Sequence, residues 1–111
     1  MEFDLYQLVV YVPESHAEAI RKALSAAGAG NIGDYDSCSF SMKGTVRFRP
    51  LEGSKPAIGS KGIIESVPEE RIECVVNSDQ LKLVLHEIKR VHPYEEPAIH
   101  VLPMMDYHNF L

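Results

Sequence analysis

The sequence predicts an α+β domain in which two helices cover one face of a four-stranded antiparallel sheet. Three observations carry that expectation. Two segments, 15–27 and 78–91, repeat apolar residues at three- and four-residue intervals; four short segments are rich in β-branched and aromatic residues; and the order of the two kinds is β-α-β-β-α-β.

Each element has its own signal. LYQLVVYV, Leu5 to Val12, is too short for a helix and ends at Pro13, so it reads as a strand. Ser15-His16-Ala17-Glu18 matches a capping box, in which the Ser hydroxyl accepts from the backbone at Glu18 and the Glu carboxylate answers the Ser amide. The helix it opens presents Ala17, Ile20, Leu24 and Ala27 to the core, leaves Arg21, Lys22 and Ser25 to water, and stops at Gly28. GAGNIGDYDS is turn-rich, and its glycines follow a helix instead of preceding one, which fails the context of a phosphate loop. The alternation in TVRFR predicts a half-buried second strand, with Gly44 marking a bulge or bend. Leu51 to Pro68 has little periodicity, and a loop of that length is commonly functional or mobile.

RIECVVN, Arg71 to Asn77, alternates as a third strand. Asn77 or Ser78 caps the second helix, where Leu81, Val84, Leu85, Ile88 and Val91 form an apolar stripe opposite Lys82, Glu87, Lys89 and Arg90. Pro93 ends that helix, AIHVL is the last strand, and Pro103 begins a tail. The expected whole is one ferredoxin-like domain spanning 1–111.

Strand parity has a consequence for assembly. With Leu8, Val10, Val12, Ile72, Cys74 and Val76 under the helices, the opposite face receives Val9, Tyr11 and Val75 with Gln7, Glu73 and His100 or its neighbours. That mixed, partly apolar face predicts a homo-oligomer; the alternative is that the apolar tail from Met104 to Leu111 folds back over it.

Bulk properties exclude several classes. The net charge is −5 and no Lys/Arg cluster interleaves with aromatics, which speaks against nucleic acid. Cys38 and Cys74 stand far from any CxxC or CxxH spacing and read as small buried apolar residues in a reducing compartment. No apolar run approaches a membrane span and the N-terminus lacks the features of a secretory signal, so a cytoplasmic protein is expected. No Ser-His-Asp, Cys-His or paired-carboxylate arrangement can be singled out, and nothing here supports an enzyme.

The candidate chemistry lies in HPYEEP, His92 to Pro97. His92 and Glu95 offer a nitrogen and an oxygen ligand for zinc or copper, with Tyr94 behind them and His100 as a third donor from a neighbouring strand or subunit. The competing reading is a hinge in which His92, as imidazolium, caps the second helix while the prolines set the entry of the last strand. The hinge is preferred, because Pro93 destroys the helical projection that makes metal spacings diagnostic. Lys55 and Lys61 in the long loop are candidates to meet an anionic ligand. His86 and His16 read as surface histidines, and Asp106 with His108 as a weak, adventitious metal clasp.

HPYEEPAIHVLP resembles the helix-to-strand junction of CutA proteins, through His92, Pro93, Tyr94, Pro97, Leu102 and Pro103. Over nearly the whole chain, GAGNIGDYDSCSFSMKGTVRFRPLEGSKPAIG, RIECVV and HPYEEPA are similar to the CutA/PII-like domain inserted in the YqfO type of the NGG1-interacting-factor-3-like family. The resemblance implies a free-standing version of that insert, a small regulatory binding module, trimeric through its sheets. It implies no metal-dependent hydrolysis, since the flanking lobes that hold the family's dinuclear centre have no counterpart in these residues. The Leu51–Pro68 loop occupies the place of the PII effector loop, without a matching nucleotide-binding pattern.

Overall fold

A computed structural model describes residues 3–111 and arranges them as β1 (Leu5–Pro13), α1 (Ala17–Ala26), β2 (Phe40–Phe48), β3 (Glu65–Asn77), α2 (Ser78–Val91) and β4 (Ile99–Met104), with short 3-10 turns at Glu14–His16 and Tyr107–Phe110. The four strands form one antiparallel sheet in the order β2-β3-β1-β4. Both helices pack on one face, so the α+β ferredoxin-like architecture expected from element order is the one found. No helix among the described residues is long and apolar enough to cross a membrane.

Parity follows the sequence pattern. Leu8, Val10 and Val12 of β1 and Ile72, Cys74 and Val76 of β3 are buried against Ile20 and Leu24 of α1 and Leu81, Val84 and Ile88 of α2. The opposite face carries no helix. Phe40, Met42 and Leu102 stand on it 59%, 46% and 45% exposed, and the tail does not fold back to cover them: Met105, Tyr107, Phe110 and Leu111 are themselves exposed. Val9, on the same face, is closed over by longer neighbours on its own and flanking strands, Glu73 and His100 standing directly opposite it in register.

Several local expectations are corrected. Ser15 does not close a capping box, because a 3-10 turn over Glu14–His16 precedes α1 and the Ser15 hydroxyl bonds His16 Nδ1 at 2.8 Å instead. Asn77 is the residue before α2, but its side chain makes no cap bond. Gly28 ends α1 as expected: it takes φ +92°, and the Ala29 and Gly28 amides donate back to Leu24 and Ser25 carbonyls in a Schellman closure. Gly44 sits in an unbroken register opposite Glu69 and makes no bulge. β2 is an outer strand, mostly exposed instead of half-buried. β3 begins six residues before Arg71, taking in Pro68, which lies where β2 is its only neighbour and a missing amide costs no inner ladder bond. β4 likewise runs through Pro103 at the sheet edge. Cys38 is partly exposed, whereas Cys74 is buried and its thiol is pushed up to about 11 by desolvation.

Arg21 was expected in water and is instead a tie between α1 and the sheet. Its guanidinium donates to Glu70 Oε1 at 2.7 Å and to Ser41 Oγ at 3.2 Å. Glu70 is 9% exposed, so removing its partner strands a nearly buried carboxylate. Arg21→Ala is expected to lower unfolding free energy by about 1–2 kcal/mol in urea titration, the open side of the pair limiting the loss. Glu18→Ala, which touches only the exposed arm of the same guanidinium, is expected to shift stability by less than about 0.5 kcal/mol.

Candidate functional site

The junction after α2 shows why proline and histidine stand together. Pro93 forces His92 out of helical geometry, to φ −71° and ψ 134°, while the His92 amide still donates to Ile88. The ring then turns inward and is 7% exposed. Nδ1 accepts from the Tyr94 amide at 3.1 Å, which assigns the ring proton to Nε2, and Nε2 donates to the Tyr11 carbonyl at 2.7 Å. Burial lowers the imidazole's pKa below the ordinary value, against the opposing pull of the Tyr11 carbonyl. His92 is therefore a neutral brace between α2, β1 and the turn; the expectation of an imidazolium capping the helix dipole is overturned.

What the brace positions is Tyr94. Its ring lies 5.2 Å from the His92 ring and 5.8 Å from Phe48 of β2, centre to centre. Its hydroxyl donates to Glu69 Oε2 at 2.8 Å. Glu69 belongs to β3 on the helix-free face and is 2% exposed, so desolvation raises its pKa, with the Tyr94 hydroxyl partly opposing that shift. Burial, and then the carboxyl of Glu69, push the Tyr94 phenol well above the usual range. At any ordinary pH the phenol is protonated and donates.

The long loop closes the other side. Gly62 donates to the Pro50 carbonyl at 2.7 Å and the Ser54 hydroxyl to Leu51 at 2.6 Å, which fold the loop on itself. Glu95 Oε1 accepts the Lys55 amide at 2.8 Å, pinning the loop to the turn. Between them is a cavity of about 350 Å³, walled by Tyr11, Phe48 and Tyr94, roofed by Pro56 and Ile58, with Glu69 inside.

The two segments singled out from sequence thus meet, yet not every candidate residue takes part. Tyr94 and Glu95 line the cavity and His92 braces it from behind. Lys55 contributes its main chain, while Lys61 lies 3.9 Å from Glu52 and outside the cavity lining. His100 sits on β4 with its ring against Tyr11, 5.6 Å between centres. For zinc or copper the fit is poor: both His92 nitrogens are engaged, Glu95 holds the loop, and among the described residues no three His, Cys, Asp or Glu side chains group as a metal site. His108 pairs with Asp106 at 2.7 Å on the exposed tail.

Sequence reasoning missed Glu69 and Phe48, and placed Tyr11 on the correct face without giving it a role. Phe48 was legible as alternating strand, but its partners lie in a distant segment. Glu69 preceded the strand as read at Arg71; extending the alternation of PEERIECVV backward would have put Glu69 on the face of Arg71 and Glu73.

No family model matches the chain. Relatives named GTP cyclohydrolase 1 type 2 homolog are similar to it: 47% identity over 100 residues in Halalkalibacterium halodurans, covering 90% of this chain and 27% of that protein, and 45% over 100 residues in Bacillus subtilis, covering 90% and 27%. A Bacillus cereus protein related to NIF3 superposes with a TM-score of 0.82 at 41% identity, over 94% of this chain and 26% of that one. The Archaeoglobus fulgidus periplasmic divalent cation tolerance protein CutA superposes at 0.65 with 20% identity, over 92% and 85%, and the PII-like protein CutA from Nostoc at 0.67 with 19%, over 96% and 86%. The chain spans about a quarter of the length of the relatives it matches by sequence, and it is similar to that NIF3-related segment in sequence and to CutA in fold.

Proposed function

We propose that the 111 residues form one self-associating, CutA/PII-like binding module of the cytoplasm, acting in a regulatory role through a small ligand held in the cavity between the long loop and the His92–Glu96 turn. The observation that carries the ligand site is Glu69: a carboxyl 2% exposed, fixed at one oxygen by Tyr94, inside a preformed aromatic cavity. A side chain so costly to bury is retained where something uses it. The relatives' name lends no activity to the proposal, since the shared segment is only 27% of their length.

Self-association is supported by the helix-free face with exposed Phe40, Met42 and Leu102. A homotrimer is the assembly proposed. Light scattering on untagged protein is expected to give a multiple of the 12.4 kDa chain mass, and Met42→Glu to lower it without unfolding the chain. A monomer at every concentration would refute the assembly.

A further inference from the structure

We propose that the cavity recognises a small organic cation, a protonated amine on an apolar body, with Glu69 as its counter-charge; this rests on the cavity being the ligand site. Charge complementarity selects that class. Glu69 lies within, Glu95 and Glu96 stand at the exposed rim, and Phe48 and Tyr94 offer ring faces that attract cations, as the Tyr11 ring already does for the Arg71 guanidinium 5.7 Å from its centre.

Three basic residues stand nearby. Arg71, two residues along β3 on the same face, donates to Glu73 at 2.8 Å and to the Tyr11 hydroxyl at 3.1 Å. Arg47 also borders the cavity, but it alternates with Val46 and Phe48 in β2, so strand geometry directs its side chain toward the other face of the sheet. Lys55 meets the site through its amide. An anion would face three carboxyl groups against a single basic residue of the lining, Arg47. A neutral apolar molecule would leave Glu69 unanswered: Tyr94 bonds Oε2 and, among the described residues, nothing bonds Oε1. An ammonium entering between the rings completes that oxygen, and its hydrocarbon body displaces water from Pro56, Ile58 and Val46.

The test uses three probes of one shape: 2-phenylethylamine, 2-phenylethanol and 3-phenylpropanoate, titrated into the intact protein by calorimetry and by NMR of cavity residues. The amine is expected to bind at least about tenfold more tightly than either analogue, and Glu69→Gln to remove that preference while keeping the Tyr94 hydrogen bond. Glu95→Gln, at the rim, should weaken the amine less than Glu69→Gln. If the alcohol or the carboxylate perturbs the cavity residues as strongly as the amine, the cavity remains a binding site and the cation assignment is refuted. If none of the three perturbs them, both readings fail. Amine affinity unchanged by Glu69→Gln in a folded protein also overturns the assignment.

Discussion

His92→Ala is expected to cost about 3–4 kcal/mol of unfolding free energy, measured by urea titration near neutral pH. The imidazole is 7% exposed and bonds the Tyr11 carbonyl and the Tyr94 amide. Alanine leaves both main-chain groups without a partner and opens a void between α2 and the sheet. A loss below about 1 kcal/mol would show that water satisfies both groups and that the ring is no brace. The same substitution should loosen Tyr94 and hence disturb the cavity, although His92 itself does not line it.

The pH dependence carries a sign that a surface histidine would not produce. Burial depresses the folded pKa of His92 below the unfolded value of 6.5, so in that interval the unfolded chain binds the extra proton. Its stabilising contribution is complete above pH 6.5 and is lost as pH falls through the interval toward the lower folded value. Glu69 acts in the opposite sense: its folded pKa is raised above 4.5, so stability falls as pH climbs from there through the raised value. Comparing the wild type with His92→Gln isolates the histidine. Between about pH 7.5 and 5.5 the wild type should lose more stability than the variant, and parallel profiles would contradict a buried neutral imidazole.

Gly30→Ala is the second large effect, with an expected loss of about 3 kcal/mol or more. Gly30 holds φ +77°, and a Cβ there would stand 2.4 Å from the Cys38 carbonyl oxygen and 2.9 Å from its nitrogen. The clash is with main chain, which cannot rotate aside. Gly30 also donates to Val75 at 2.8 Å and accepts from Cys38 at 2.9 Å, so relief would require breaking the bonds that join this turn to β3. Gly33→Ala is the control: its φ is positive but the space around it is open, and only the backbone term of about 1 kcal/mol is expected. Equal losses at the two positions, in paired denaturation curves, would show that the close approach at Gly30 is immaterial.

The hexapeptide HPYEEP is legible as punctuation more than as chemistry. Pro93 and Pro97 forecast a stop and a turn, because proline's restrictions act on the next residue or two and need no tertiary partner. The role of His92 was different. A helix-end histidine read alone suggests a solvated imidazolium at the dipole, and only the neighbouring β1 carbonyl and the Tyr94 amide make the neutral tautomer the stable form. Ser15 shows the same limit on a smaller scale: its spacing to Glu18 permits a capping box, but the 3-10 turn takes the segment another way.

Periodicity alone determined the element order, the buried faces of both helices and the parity of β1 and β3, since alternation at 2 and 3.6 residues is set by local backbone geometry. What only the tertiary structure decided was which distant residues share a wall. Glu69, Phe48, Tyr11 and Tyr94 come from four separate stretches and meet because β3 pairs with β2 on one side and β1 on the other. Burial is a collective property of all the groups that exclude water from one point, and no single stretch of chain records it.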